Sequence, residues 1–314
     1  MKVIDKKMLG GKILYLANEA NNWEDGSPVG AGNIAAMLYG HVASERIQLN
    51  EEFIWSGGPI PNPKRVRECI DHMLEMIKRG EVSEADQWAR DNMDDCFNRI
   101  KSYETAGDLC LDIHGAELEF SDYRREIDLE DGIASVTYKV GGTRYRRELF
   151  ASYPDNVIVF HMTADNPGSI TFKAHFEREI DNFERICREN LLTLVGETQS
   201  GGHKFEIKIG FYPEGGCLGS TLDNVFVEGA DSCTIYITTQ TLDRSRRKAP
   251  SIKKIAERGY DAVKEAAAAD HRALMNRSDI SVYGDDDAKA YPVNERLERL
   301  REGKSDKGMA TLYF

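Results

Sequence analysis

Residues 23–59 hold the side chains of this sequence whose chemistry best suits a sugar. Asn33, Glu51 and Trp55 supply an amide, a carboxylate and an indole, which can hydrogen-bond to sugar hydroxyls and pack on the apolar face of a sugar ring. Nearby glycines permit tight turns and the close approach of a ligand, namely Gly26, Gly30, Gly32 and Gly40. The three side chains are therefore the predicted substrate-binding residues. The alternative is that the glycines form strand corners and the tryptophans fill a core.

Glu51 and Glu52 are adjacent carboxylates, and glycoside hydrolysis uses two carboxyl groups. In a glycosidase those two groups lie roughly 5 to 9.5 Å apart. Neighbouring residues on a strand point to opposite faces, so at most one of this pair can enter a given pocket. The two neighbours therefore do not fit the paired carboxylates of a glycosidase, and the alternative for both glutamates is a solvated strand edge.

Other kinds of active site have no signature in the sequence. The seven histidines and six cysteines lack the H-x-x-x-H, H-x-H and C-x-x-C spacings typical of metal and redox sites. No G-x-S-x-G turn is present for a nucleophilic serine. The glycine-rich stretch also fails to match the G-x-G-x-x-G loop that binds dinucleotides. We predict no metal site and no cofactor.

The charge balance narrows the class of partner. The 314 residues include 53 acidic and 41 basic side chains, a formal net charge of −12, which repels nucleic acid and anionic membranes. No stretch approaches the roughly 18 apolar residues that cross a bilayer. The basic run at residues 244–248 is interpreted as a solvated linker. A neutral partner such as a sugar fits, and we expect neither nucleic acid nor a membrane as a partner.

A β-rich fold must position these side chains. From residue 109 to residue 240, short runs rich in β-branched and aromatic residues are separated by turn residues at intervals of about ten. So many strands, with no helix between them, must pair into two packed sheets. The predicted fold class is mainly β, a large antiparallel super-β-sandwich. Its predicted strands are residues 123–129, 133–140, 144–152, 157–163, 169–175, 191–195, 204–212 and 233–239.

Two helical zones accompany the sandwich. Apolar residues at helical spacing begin at Pro63 and stop at Gly80, and an amphipathic stretch follows at residues 83–93. This pattern predicts a helical hairpin inserted at about 62–99. A second zone has helical character at 251–275 and 295–302, with a short strand at 280–283. We predict a β-sandwich domain at 1–250 and a C-terminal helical linker at 251–314.

The N-terminus and the cysteines bear on the cellular compartment. The apolar run at residues 13–17 is too short for the hydrophobic segment of a secretory signal. The six cysteines are widely spaced, which favours buried free thiols over a disulfide framework. Both observations predict a cytoplasmic protein.

Two motifs in residues 23–59 resemble the N-terminal domain of glycoside hydrolase family 95, the inverting α-L-fucosidases. The more specific motif matches at residues 47–51 and 55–59. The resemblance continues at residues 103–109, 121–129, 147–152, 291–297 and 312–314. The first motif matches at Trp23, Pro28, Val29, Gly30, Gly32, Ile34, Ala36, Met37, Tyr39 and Gly40.

The resemblance implies a domain that supports a catalytic barrel and contributes to the wall of its pocket. Asn33 and Trp55 are therefore expected to be partly exposed, near one edge of the sandwich. In that family the general acid and the base machinery lie in an (α/α)6 barrel, which we expect to begin past Phe314. The complete enzyme would hydrolyse fucosylated oligosaccharides, and this chain alone would be inactive. Ala31 and Asn33 replace the family's usual Asn and Arg, so substrate choice can differ. The alternatives are a free-standing carbohydrate-binding module and a structural interaction module without hydrolase activity.

Overall fold

Two antiparallel sheets make up most of the protein. The computed structural model describes residues 12–57, 63–93, 102–115, 119–179, 183–199, 202–243, 247–278 and 291–313. The strands in chain order are β1 Ile13–Leu16, β2 Ser27–Ala31, β3 Ile34–Leu38, β4 Ser44–Glu51, β5 Gly107–Ile113, β6 Phe120–Asp128, β7 Ile133–Val140, β8 Thr143–Ser152, β9 Val157–Ala164, β10 Ile170–Glu177, β11 Phe183–Arg188, β12 Leu191–Glu197, β13 Lys204–Glu214, β14 Cys217–Ser220, β15 Asn224–Ala230 and β16 Ser232–Thr241. The predicted mainly-β class is confirmed.

The two sheets have nine and seven strands. The order in the larger sheet is β1-β6-β7-β8-β9-β16-β13-β12-β11, and the order in the smaller one is β14-β15-β10-β5-β4-β3-β2. Consecutive strands mostly pair as hairpins, because short turns join antiparallel neighbours. Strand β16 is an exception, since it lies between β9 and β13 and joins the two halves of the larger sheet.

The main core lies between the inner faces of the sheets. Strand β10 shows the pattern that builds it, because Ile170, Phe172, Ala174 and Phe176 are buried and alternate with less buried residues. The ring of Phe172 meets that of Phe211, from the other sheet, with centroids 6.4 Å apart. Such alternation on both sheets produces the predicted sandwich.

A buried charged cluster crosses this core. Arg147 of β8 and Glu45 of β4 are 1% exposed each, and the Arg147 guanidinium donates to a Glu45 carboxylate oxygen over 3.1 Å. The same guanidinium donates to the carbonyl oxygens of His41 and Val42, over 2.5 and 2.8 Å, and to the Tyr138 hydroxyl. The cluster therefore ties the two sheets together with charge-assisted hydrogen bonds.

The predicted helical hairpin is present between β4 and β5. Helix α1 spans Pro63–Lys78 and helix α2 spans Val82–Asn92. Gly80 separates them with a φ of +84°, a backbone conformation that glycine adopts without steric cost. The rest of the predicted insert, at residue 62 and residues 94–99, lies outside the described residues. In the described chain we find no helix of the length and apolarity that a bilayer crossing needs.

The C-terminal helices pack on the sandwich rather than extend beyond it. Helices α3 Ile252–Ala256 and α4 Tyr260–Met275 cover the outer face of the nine-stranded sheet. There Ile252, Ile255 and Val263 join a second core with residues of β7, β8, β9 and β16. The outer face of these strands also carries apolar side chains, for example Phe150, and the two helices bury them away from water.

The remaining helices are α5 Val293–Arg301 and α6 Lys307–Tyr313. A buried ion pair holds them together, because the Arg296 guanidinium donates to both carboxylate oxygens of Asp306 over 2.7 and 2.8 Å. The predicted strand at 280–283 lies outside the described residues. The division into domains at 1–250 and 251–314 stays a prediction.

Candidate functional site

One end of the sandwich brings together turns from both sheets, and we refer to it as the loop end. The strand registers place these turns side by side, because β4, β8, β12 and β16 all finish there. The loop end consists of the β2–β3 turn at Gly32 and Asn33, residues 52–57 after β4, residues 102–106 before β5, residues 153–156 between β8 and β9, and residues 198–199 and 202–203 between β12 and β13.

Hydrogen bonds join the segments of the loop end. Thr198 donates its hydroxyl to the Trp55 carbonyl oxygen over 2.7 Å, and the Gly57 amide donates to the Gln199 carbonyl oxygen over 3.0 Å. At the β2–β3 turn, Gly32 has a φ of +65° and leaves room for the Tyr153 ring, which would lie 3.2 Å from an added Cβ atom. The loop end is therefore held by contacts between the two sheets.

Glu51 is fully buried, so the solvated edge considered for it is wrong. One carboxylate oxygen accepts from the Phe53 amide over 3.0 Å, and the other accepts from the Asn33 side-chain amide over 3.4 Å. Glu52 is exposed, which confirms that the neighbouring glutamates point to opposite faces. The chain turns after Glu51, where the Ile54 amide donates to the Glu51 carbonyl oxygen over 3.2 Å.

Asn33 lies closer to the interior than its expected role at the edge implies. We expected its side chain to be partly exposed, but it is 8% exposed. Its amide nitrogen reaches inward to Glu51, which draws the side chain beneath the turn. Its Oδ1 atom has no hydrogen-bond partner among the described residues.

Trp55 is 37% exposed, as expected of a residue at the edge, and it pairs with Tyr103. The two rings meet edge to face with centroids 5.3 Å apart. The Trp55 indole donates to the Glu52 carbonyl oxygen over 2.9 Å. The Tyr103 hydroxyl lies 3.2 Å from both the Asn50 side-chain oxygen and the Glu51 carbonyl oxygen. The structure thus brings all three predicted binding residues into one connected network.

Tyr103 is the functional candidate that the sequence reasoning did not single out. It lies about 50 residues beyond Glu51 in the chain and reaches the site through an isolated β-bridge with Trp55. The one sign of Tyr103 in the sequence is the motif at residues 103–109 that resembles the fucosidase family. Burial, followed by the nearby Glu51 charge, raises the pKa of Tyr103 to about 12. Its hydroxyl is therefore neutral at physiological pH and can donate a hydrogen bond.

The network offers a binding surface. Two exposed aromatic rings can pack on the apolar face of a sugar, while polar groups beside them meet its hydroxyls. The Glu51 carboxylate is enclosed and hydrogen-bonded within the protein. A general acid or base needs to reach the proton it transfers, and Glu51 instead holds the turn that carries Asn33.

The adjacent glutamates allow a matched test of this structural role. We expect Glu51→Ala to lower the free energy of unfolding by about 1 to 3 kcal/mol, because the Phe53 amide and the Asn33 amide lose a buried acceptor. Glu52→Ala changes an exposed side chain and should stay within about 0.5 kcal/mol. Urea unfolding followed by tryptophan fluorescence measures both. Equal effects of the two substitutions would contradict the role assigned to Glu51.

Two other features lie outside the loop end network. A cleft of about 500 Å³ lies beside the contact of α4 with the outer face of the nine-stranded sheet. Its walls are largely charged, and they include the ion pairs of Glu148 with Lys264 and of Asp131 with Arg272. Side chains that could hold a metal lie on the outer face of the other sheet, at Cys110, His175 and Glu177.

Comparison with known proteins points to carbohydrate-active enzymes. Residues 14–246 match the family model described as "Glycosyl hydrolase family 65, N-terminal domain". Among curated proteins, "Alpha-L-fucosidase 2" of Arabidopsis thaliana is 33% identical over 170 residues, which cover 53% of this chain and 20% of that protein. The resemblance to α-L-fucosidases seen in the sequence is thereby confirmed.

Two fungal proteins show the same relationship. "Probable alpha-fucosidase A" of Aspergillus niger is 26% identical over 223 residues, covering 68% of this chain and 26% of that protein. The protein of the same name from Aspergillus oryzae is 26% identical over 207 residues, covering 62% and 28%. The chain thus aligns with between a fifth and just over a quarter of the length of these relatives.

Proposed function

The chain belongs to the family described as glycosyl hydrolase family 65, N-terminal domain, and from that premise we propose that it is the non-catalytic β-sandwich of an α-L-fucosidase. In this proposal residues 1–250 form the sandwich domain and residues 251–314 the linker that leads to a catalytic barrel. The relatives named for α-fucosidase activity support the substrate class. This chain aligns with between a fifth and just over a quarter of each relative, which favours the role of an accessory domain within a larger enzyme.

The proposal extends to the reaction of the complete enzyme. It would be a family-95 hydrolase of fucosylated oligosaccharides in the cytoplasm. A carboxylic acid from the barrel would protonate the leaving oxygen while a positioned water attacks the opposite face of the sugar, which inverts the anomeric centre. The loop end would form one side of the substrate pocket. No residue of this chain is assigned a catalytic role.

The observation that carries the proposal is the aromatic pair at the loop end. Trp55 and Tyr103 are 37% and 40% exposed, although aromatic rings of this size usually contribute to a core. Hydrogen bonds to Glu52, Asn50 and Glu51 fix both rings in place. Rigid aromatic surfaces lose little conformational entropy when a ligand binds. They are therefore suited to stack on a sugar ring.

Trp55→Ala is expected to weaken binding of a fucosylated oligosaccharide to this chain about tenfold, because the stacking surface is lost. Trp23→Ala is the matched control, since Trp23 is another exposed indole, 53% exposed, and hydrogen-bonds to Gln48 instead. Isothermal titration calorimetry of the purified variants measures the difference. Equal weakening by both substitutions would contradict the loop end as the sugar surface.

Activity measurements test the assignment of the reaction. The chain alone should show no turnover of an aryl α-L-fucoside, whereas the polypeptide encoded by the intact gene should release β-L-fucose first, as NMR of the nascent sugar reports. Release of α-L-fucose first would overturn the inverting mechanism. Turnover by the chain alone that disappears in Glu51→Gln would place the catalytic site within these residues. Sugar binding without activity of the intact polypeptide would favour a free-standing carbohydrate-binding module.

A further inference from the structure

The outer face of the seven-stranded sheet carries three different metal-binding groups side by side. Cys110 of β5 and His175 of β10 are directly paired across the two strands. Glu177 follows His175 by two residues and so lies on the same face. The Cys110 sulfur, a His175 ring nitrogen and a Glu177 carboxylate oxygen all lie within 4.8 Å of one another.

This spacing is close to the one a zinc ion imposes. Tetrahedral Zn²⁺ holds sulfur at about 2.3 Å and nitrogen or oxygen at about 2.0 to 2.2 Å, which places its ligand atoms roughly 3.3 to 3.8 Å apart. The His175 Nε2 atom is already 3.2 Å from a Glu177 carboxylate oxygen. Side-chain movements of about 1 Å would bring the remaining pairs to coordination distance, because Glu177 is exposed and His175 and Cys110 are half-buried.

A neighbouring carboxylate is placed to orient the histidine. The His175 Nδ1 atom lies 3.8 Å from a carboxylate oxygen of Asp112, and it has no hydrogen-bond partner among the described residues. If Nε2 binds a metal, the ring proton resides on Nδ1 and faces Asp112. Metal-binding histidines commonly donate this second N–H to a carboxylate, which fixes the ring and strengthens the ligand.

The surrounding charges favour a cation. The carboxylates of Asp108, Asp112 and Glu177 lie around the cluster, together with the cations Arg46 and Lys173. Arg46 donates to Asp108 over 2.6 Å, and Lys173 lies 3.5 Å from Asp112. Each of those two pairs is neutral overall, so the Glu177 charge remains beside the thiol and the imidazole. A divalent ion would offset it.

We propose that Cys110, His175 and Glu177 form a zinc site on the outer face of the seven-stranded sheet, with the fourth position open. A set of one thiolate, one imidazole and one carboxylate suits Zn²⁺ and disfavours Mg²⁺ and Ca²⁺, which prefer oxygen ligands alone. Binding releases the thiol proton and adds a further side-chain link between β5 and β10. The site is independent of the sugar-binding role of the loop end.

Metal titration of the tag-free, chelator-treated chain tests the proposal. We expect one zinc ion per chain with a dissociation constant in the micromolar range or tighter, and a thiolate-to-metal charge-transfer band in the near ultraviolet when Co²⁺ replaces Zn²⁺. Cys110→Ser should abolish that band and weaken zinc binding at least tenfold, and His175→Ala should weaken it similarly. Cys217→Ser is the control and should change neither, because Cys217 is an exposed thiol on β14.

Thermal unfolding distinguishes a variant that has lost the metal site from a variant that fails to fold. In the presence of a chelator, Cys110→Ser and the unsubstituted chain should unfold at similar temperatures. Added zinc should raise the unfolding temperature of the unsubstituted chain and of Cys217→Ser but leave that of Cys110→Ser unchanged. Zinc binding that survives both Cys110→Ser and His175→Ala would overturn the proposal, as would the absence of stoichiometric binding at micromolar zinc.

Discussion

Arg147→Ala is expected to lower the free energy of unfolding by about 3 to 5 kcal/mol, the cost of leaving a buried charge without its partner. Arg147 and Glu45 are both enclosed between the sheets. Removal of the guanidinium leaves the Glu45 carboxylate there without a counter-ion. It also leaves the His41 and Val42 carbonyl oxygens without their donor. Denaturant unfolding at neutral pH measures the loss as a shift of the midpoint.

Arg144→Ala is the matched control, because Arg144 lies on the same strand with 49% of its side chain exposed. We expect a change of less than about 1 kcal/mol there, since exposed ion pairs contribute little. A double replacement, Arg147→Met with Glu45→Gln, should recover part of the loss, because neither partner is then charged. An Arg147→Ala effect as small as that of Arg144→Ala would show that the buried cluster is dispensable.

Acidification is expected to lower the free energy of unfolding by about 3 kcal/mol, because it protonates a second buried carboxylate, that of Glu148. Burial alone would raise the pKa of this carboxyl, but hydrogen bonds from Lys264 and Tyr260, together with Arg146, outweigh burial and lower the pKa to about 2. Lys264 lies 2.7 Å and Arg146 2.6 Å from its oxygens. The contact anchors α4 to β8.

The direction of the pH dependence follows from the lowered pKa of Glu148. The unfolded chain has the ordinary glutamate pKa of 4.5 and takes up a proton there, whereas the folded protein does so near pH 2. The stabilisation is therefore complete above about pH 4.5 and declines as the pH falls from 4.5 towards 2. The difference in unfolding free energy between the unsubstituted chain and Glu148→Gln should shrink between pH 6 and pH 3. A difference that is independent of pH would contradict the low pKa.

The sequence predicted the strands whose side chains alternate strongly. Strand β7 has the predicted bounds, Ile133–Val140, because its apolar residues and flanking turns both mark it. Strands β2 and β3 were not predicted as strands, because Gly30, Ala31 and Ala35 have weak β-propensity. Their conformation comes from the pairing of β2 with β3 and of β3 with β4, and from burial against the other sheet, which is a long-range effect.

The candidate site was predictable in its residue types but not in its burial. Alternation along β4 predicted that Glu51 and Glu52 face opposite ways. The burial of Asn33 depends on how the β2–β3 turn folds over Glu51, which the local sequence does not encode. The burial of Arg147 could not be predicted either. Arg144, Arg146 and Arg147 are close together on the same strand, and of the three Arg147 is buried. Cys110 and His175 meet through strand register, so no sequence spacing marks them.

The position of β16 sets the order in which this protein can fold as it is made. Strand β16 lies inside the larger sheet, between β9 and β13, but it is synthesised last of all the strands of that sheet. Its neighbour β9 ends at Ala164, whereas β16 ends at Thr241. A ribosome that adds about 5 to 20 residues per second needs roughly 4 to 15 seconds for the chain between them. During that interval the edge of β9 that later pairs with β16 has no partner strand. Strands β11, β12 and β13 can pair with one another but are not yet joined to the rest of the sheet. Each new chain is therefore most prone to aggregation in the seconds before Thr241 emerges, and chaperones that bind nascent chains would matter most at that stage.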